Sequence, residues 1–117
     1  MICELRVYEA MPGRLAALHR RFETITLPIW ARLGIRPLGF WTTMVGSSNN
    51  ALMYLLAWQS LAEREAVWDG FLADPEWIRL KAETEVDGIL VRTASNELLV
   101  PTSYSPGMAH AQFEEAI

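Results

Sequence analysis

Asn50-Ala51-Leu52-Met53-Tyr54-Leu55-Leu56-Ala57-Trp58 carries no charge and is apolar at odd and even positions alike, although it is flanked like a strand of an antiparallel hairpin. Side chains alternate between the two faces of a strand, so both faces of this one must be covered. In a chain of 117 residues the protein's own helices can cover one face of a single sheet. The other face, read as carrying Leu52, Tyr54, Leu56 and Trp58, then needs a partner, and a second copy of the chain is the simplest one.

The rest of the chain supplies the sheet and helices that this strand requires. Ile2 to Glu9 alternates, with Cys3, Leu5 and Val7 on the face read as core and Glu4, Arg6 and Tyr8 on the other. Met11-Pro12-Gly13 breaks the strand. Leu15, Leu18, Phe22, Ile25, Ile29 and Leu33 follow at spacings of three and four up to Gly34, which is one seam of an amphipathic helix. Pro28 lies inside that seam and lacks an amide hydrogen, so a kink or break is expected between Ile25 and Pro28. Arg36 to Gly46 reads as a second strand, Ser47 to Asn50 as a turn and Ala51 to Gln59 as a third strand. Ser60-Leu61-Ala62-Glu63 has the spacing of a capping box and opens a helix to about Ala73. Asp74-Pro75-Glu76-Trp77 opens another, with an acidic cap, proline in the first turn and Trp77 and Leu80 as anchors. Ile89 to Val100 is the last strand, polar from Arg92 to Glu97 as suits an edge. The order β-α-β-β-α-β, with the second helix split, is the ferredoxin-like arrangement of the α+β class: helices on one face of an antiparallel sheet. Gly107 to Ile117 has no clear period and is expected to be a tail, mobile or docked.

Composition narrows the partners. A net charge of -4 and ten scattered Lys and Arg residues oppose binding to nucleic acid. The one tight basic pair, Arg20-Arg21, is explained by a helix surface as well as by an anion site. A single cysteine, Cys3, rules out an intrachain disulfide and fits a reducing compartment. The N-terminus lacks the pattern of a secretion signal and no run is long enough for a membrane helix, so the expectation is a cytoplasmic protein without membrane contact. His19, His110 and Cys3 have no recognised ligand spacing, and no Gly-rich phosphate loop or nucleophile elbow is present. No metal or cofactor is therefore expected.

Cys3-Glu4-Leu5-Arg6-Val7-Tyr8, Pro12-Gly13, Gly39-Phe40-Trp41-Thr42-Thr43 with Gly46, Ala57 to Arg64, Ala73-Asp74-Pro75-Glu76-Trp77 and Pro101 to Pro106 together resemble the NIPSNAP family over nearly the whole chain, to about Met108. The resemblance implies a domain over residues 1–106 followed by a tail at 107–117. It also implies a dimeric α+β barrel made of two ferredoxin-like units with their sheets face to face, in a family whose bacterial members mostly lack an assigned activity. Met44 stands where the family has a glutamate and Tyr54 where it has a histidine. Both ionisable groups are gone, and as neighbours across the hairpin they would make an apolar and hydroxyl pair.

In such a barrel Glu4, Arg6 and Tyr8 on the central first strand would point into the lumen. Either Glu4 and Arg6 satisfy each other and fix how the sheets dock, or Arg6 holds a carboxylate or enolate, Glu4 or Tyr8 carries a proton, and Tyr54 and Trp58 form the pocket wall. A nearby Arg6 opposes the raised pKa that a basic Glu4 would need. Trp30, Trp68 and Trp77 fit helix seams and read as core, whereas Trp41 and Trp58 lie on strands and could line a lumen. The candidate ligand residues are thus Glu4, Arg6, Tyr8, Trp41, Tyr54 and Trp58, with no catalytic residue assigned. The leading expectation is a homodimer that binds a small apolar or aromatic molecule in the lumen or serves a structural role. The alternative is a cofactor-independent monooxygenase or isomerase acting on an activated aromatic or enolisable substrate, by analogy of fold. A third has the acidic helix surface, including Glu63, Glu65 and Asp69, facing a protein partner.

Overall fold

The computed structural model describes residues 1–106, so the expected tail at 107–117 and His110 within it lie outside the described residues. Four strands form one antiparallel sheet in the order β2-β3-β1-β4: β1 (Ile2–Ala10), β2 (Arg36–Thr42), β3 (Ala51–Trp58) and β4 (Val91–Leu99). The helices are α1 (Leu15–Arg21), a π-helical turn (Phe22–Thr26) and α2 (Leu27–Leu33) in one run, then α3 (Leu61–Leu72) and α4 (Pro75–Thr84). This is the ferredoxin-like order that the sequence predicts.

Local chemistry accounts for the boundaries. Pro28 cannot donate to the carbonyl one turn back, and the hydrogen-bond ladder widens into the π turn immediately before it while the backbone stays helical. Gly34 ends α2 at φ 82°, a left-handed conformation that a side chain would strain. Ser60 Oγ accepts from the Glu63 amide at 3.1 Å, and the Glu63 carboxylate accepts from the Gln59 amide at 2.5 Å, so the glutamate closes the capping box one residue further back than usual. Asp74 caps α4 by accepting from the Trp77 amide at 3.0 Å.

The assignment of faces is corrected. Glu4, Arg6 and Tyr8 pair across the sheet with Leu56, Tyr54 and Leu52 of β3, and this face lies under the helices. The Arg6 guanidinium carbon is 4.5 Å from the Trp68 ring centroid of α3, and the Tyr8 and Tyr54 rings lie 6.1 and 5.5 Å from Phe22. Leu52, Tyr54, Leu56 and Trp58 are therefore part of the protein's own core, each no more than 3% exposed. Apolarity misleads here because α3 brings its own polar group, Arg64, to the charged face of β1. The open face carries Cys3, Leu5 and Val7 opposite Ala57, Leu55 and Met53, with Trp41 of β2 beside Met53. The face left uncovered by the helices is thus the opposite one from the face that the sequence pattern indicates.

The supposed pairing of Met44 with Tyr54 is also corrected. Phe40 stands opposite Tyr54, after a register shift between Pro37 and Gly39, and β2 ends at Thr42. Met44 falls in the connection beyond the ladder and is 93% exposed. Trp41 folds back over Gly39, where an added Cβ would come within 2.8 Å of the indole.

Leu56 is fully buried on the helix side, so Leu56→Ala should lower unfolding free energy by about 2–5 kcal/mol. A denaturant titration checks this, and a loss well under 1 kcal/mol would place Leu56 on the open face.

Candidate functional site

β1 carries a carboxylate into the interior, and the surrounding elements converge on it. Glu4 is wholly buried. It accepts five hydrogen bonds: from Trp58 Nε1 at 2.9 Å, Arg64 Nε at 2.9 Å and Nη2 at 3.0 Å, Arg6 Nη1 at 3.0 Å and Asn96 Nδ2 at 2.9 Å. Burial works against the charge, but the donors from Arg64, Asn96, Trp58 and Arg6 outweigh it and hold the carboxyl down from its ordinary 4.5 to about 2. Such a group holds no proton near neutral pH and has no free lone pair for a substrate. Its role is structural, as the pairing of Glu4 with Arg6 anticipates, although the pair fixes sheet to helix.

Arg6 is the cation that β1 contributes to the lining of a neighbouring cavity. Besides Glu4 it donates from Nε to Tyr54 Oη at 2.9 Å and, at a longer 3.4 Å, from Nη2 to Tyr8 Oη. Each contact uses one of five guanidinium hydrogens, so donors remain. Burial tends to discharge Arg6, but the neighbouring Tyr8 and Tyr54 oxygens and Glu4 hold its pKa above the ordinary value. The cluster places one carboxylate between two guanidiniums, so one positive charge is left over. Arg64 reaches the rim, where Asp69 also acts on it, whereas Arg6 stays inside.

The two tyrosine hydroxyls are hydrogen-bonded to each other. Tyr8 Oη and Tyr54 Oη are 2.7 Å apart. Tyr54 is fully buried and its oxygen also accepts from Arg6. Tyr8, whose hydroxyl also accepts from Arg6 Nη2, is the member of the pair that lines the cavity. Burial, reinforced by Tyr8, pushes the Tyr54 pKa up, which keeps this hydroxyl protonated.

That cavity, about 330 Å³, lies between the helices and the β1–β4 half of the sheet. Arg6 and Tyr8 form its polar wall. Phe22, Trp30, Trp68, Phe71 and Trp77 enclose it in successive ring contacts, from 4.7 Å between Phe71 and Trp77 to 6.1 Å between Trp30 and Trp68. Arg21, Lys81 and Glu85 stand at the α1–α4 side, where Arg21 Nη1 donates to Glu85 at 2.9 Å. Thr26 and Trp30 belong to this lining, but their Oγ1 and Nε1 atoms are closed off from solvent and have no hydrogen-bond partner among the described residues. Leaving a buried polar group unmatched costs about 1–3 kcal/mol.

Of the six candidate residues, Glu4, Arg6, Tyr8, Tyr54 and Trp58 form one hydrogen-bonded cluster, and Arg6 and Tyr8 alone of these line the cavity. Trp41 lies on the opposite face of the sheet. Sequence reasoning missed Arg64 and Asn96, as well as Thr26 and the helix tryptophans as cavity walls. Arg64 was detectable in principle, because it falls one turn into α3, directly after the strand end that carries Trp58. Arg21, read as surface, is 5% exposed. Among the described residues no group of three or more His, Cys, Asp or Glu is placed to hold a metal ion, and no helix is long and apolar enough to cross a membrane.

The sheet order and the cavity beneath the helices define a ferredoxin-like α+β domain with an aromatic-lined pocket that is partly open to solvent. The chain belongs to the NIPSNAP family, whose model matches residues 3–106. It is similar to an uncharacterised NIPSNAP-like domain protein from Burkholderia xenovorans, at 27% identity over 90% of this chain and 88% of that one, with a TM-score of 0.78. A NIPSNAP family protein with unknown function from Agrobacterium tumefaciens is 26% identical over 91% of this chain and 92% of its own, also at 0.78. A more distant structure, Rv0793 from Mycobacterium tuberculosis, shares the fold at 16% identity over 90% and 98% of the two chains, with a TM-score of 0.58. No curated protein matches the chain.

The depressed Glu4 pKa gives a signed prediction. A carboxyl at about 2 when folded and 4.5 when unfolded stabilises the fold above pH 4.5, and this stabilisation fades as pH falls towards 2. It is on the order of 3 kcal/mol at neutral pH. Denaturant titrations from pH 7 to 2 should show Glu4→Gln destabilised by a similar amount at pH 7, with the gap to wild type closing between pH 4.5 and 2. A gap independent of pH would mean that the charge is not what matters.

Proposed function

We propose that the protein binds a small, partly apolar molecule in the chamber between sheet and helices, and does so as a homodimer joined through the open sheet face. The observation that carries the ligand reading is the aromatic cavity with partly buried Arg6 and the Tyr8 hydroxyl at its wall. A volume of about 330 Å³ is at the small end of ligand sites. The site is not the barrel lumen that the sequence pattern points to, because the charged face of β1 lies under the helices. The dimer reading is supported by half-buried Cys3, Leu5, Val7, Met53 and Leu55 beside Trp41, 46% exposed, on one continuous face. A cytoplasmic location remains part of the proposal, on the strength of the single cysteine.

One observation favours a second, enzymatic reading. The Tyr8 phenol stands at the cavity wall beside the Arg6 guanidinium, an arrangement that suits protonation of an enolate stabilised by Arg6. Glu4 takes no part in such a step, since its lone pairs are taken.

Two substitutions separate pocket from interface. Leu5→Asp on the open face should give a monomer that keeps its ligand. Ala94→Trp, which fills the cavity from β4, should give a dimer without ligand. Native mass spectrometry of protein purified gently from its host reads both the subunit count and any retained mass. A dimer unaffected by Leu5→Asp would remove the interface reading, and a bound mass that survives Ala94→Trp would remove the cavity reading.

A further inference from the structure

The cavity continues beyond its own rim. Leu72, Trp77, Lys81 and Glu85, which line it, also line a second depression of about 270 Å³ along α4, completed by Ile78 and Ala82. From this continuity, and resting on the cavity reading above, we infer that the ligand is a long-chain amphipathic acid. Its carboxylate lies at Arg6, and its apolar chain leaves the cavity past Trp77 to lie in the groove along α4.

The path follows α3. Trp68, whose ring centroid is 4.5 Å from the Arg6 guanidinium carbon, and Leu72 are four positions apart on this helix and so share a face. Leu72 and Ile89 line the cavity although each is more than half exposed, so they stand at its opening. Ile78, in the groove, is equally exposed. Single apolar residues on a surface need no explanation, but three large ones gathered where a cavity meets a groove make a track for apolar surface. Inside the opening the walls are mainly rings and aliphatic side chains, and the Thr26 Oγ1 and Trp30 Nε1 atoms are closed off from the space. A hydrocarbon chain asks nothing of such walls beyond contact.

The charged groups of the lining decide which end goes in. Arg21 and Glu85 match each other at 2.9 Å, and the Arg21 side chain is buried. Lys81 is exposed, so its ammonium is hydrated and an anion there would compete with water. The Arg6 side chain is 13% exposed and shares Glu4 with Arg64. A carboxylate at Arg6 gains charge-assisted hydrogen bonds from a guanidinium that has already given up most of its water. The head therefore belongs at Arg6. The mouth, with a matched pair and a hydrated lysine, passes the chain, against which the Lys81 methylenes can lie.

Straight-chain carboxylates from hexanoate to dodecanoate, with the primary alcohols of the shorter members, are suitable probes, read by titration calorimetry and by quenching of tryptophan fluorescence. In the wild type each added methylene should tighten binding by about two- to fourfold, and the gain should continue to the longest acid. Ile78→Asn alters a residue that lines the groove and not the cavity. It should leave hexanoate affinity within about twofold and weaken dodecanoate by about tenfold. Octanoate should bind at least about tenfold more tightly than octanol, and Lys81→Met should keep that preference. The chain-length series uses wild type alone and does not depend on any variant folding. An affinity that stops rising after the shortest acids, or a rise that is the same in Ile78→Asn, would overturn the inference while leaving the cavity reading intact. Octanol binding as well as octanoate, or an acid preference lost in Lys81→Met, has the same meaning. Failure of every probe, or long acids that bind Ala94→Trp as well as wild type, overturns this inference and the cavity reading together.

Discussion

A carboxylate with no access to water must be met by donors, and the architecture depends on how Glu4 meets that requirement. Its partners come from β3 through Trp58, from α3 through Arg64, from β4 through Asn96 and from its own strand through Arg6. Three strands and a helix are thus tied to one side chain. The arrangement also works as an alignment device. Arg64 approaches with two nitrogens, so α3 is fixed in rotation as well as in distance. Trp68 lies one turn further along the same helix and comes to rest over the Arg6 guanidinium as a consequence. The cavity inherits its polar wall from this anchoring.

Arg6 shows how the anchor becomes a site. A free arginine samples many rotamers, but this one is held at Nη1 by Glu4, at Nε by Tyr54 and across its face by Trp68. Holding it costs side-chain entropy at folding and leaves little to lose when a ligand arrives. The Tyr54 hydroxyl passes the constraint on to Tyr8 at 2.7 Å. The histidine that the family resemblance implies at position 54 would change the charge balance beside Arg6, whereas the tyrosine here keeps the position neutral, since burial holds its proton on. The replacement is consistent with a site that retains its positive surplus.

Much of the fold was legible because it rests on local rules. Ser60 with Glu63, Asp74 with the Trp77 amide, Gly34 at the end of α2 and the disturbance before Pro28 each follow from short-range geometry. The faces of the strands were not legible in the same way. β3 is apolar on both sides, so alternation could not distinguish them, and β1 presents its charges to the interior. A rule that places apolar residues against helices inverts such a strand. The information that decides the matter is non-local: Arg64 lies 60 positions from Glu4 and Asn96 lies 92. The chamber was illegible for a related reason. Trp30, Trp68 and Trp77 have the spacing of packing residues and do pack, and only the three-dimensional arrangement shows that they stop short of filling the space before Arg6.

Alternation along β1 and β3 divides two tasks between neighbouring residues. Glu4, Arg6 and Tyr8 serve the chamber, while Leu5 and Val7 between them serve the open face, and Tyr54 and Leu56 are divided from Met53 and Leu55 in the same manner. No side chain belongs to both surfaces, so either can change without direct contact with the other. The backbone belongs to both. A second sheet resting on Leu5 and Leu55 would restrain the two strands from which Arg6, Tyr8 and Tyr54 project, and less strand motion means a better defined spacing between the guanidinium and the hydroxyls. Strand β4 contributes Asn96 and Ala94 from an edge that is exposed over most of its length. That edge is the least supported wall of the chamber, and a partner that steadies the sheet would benefit it most. Assembly on one face would therefore sharpen binding on the other through the stiffness of shared strands, with no residue common to both.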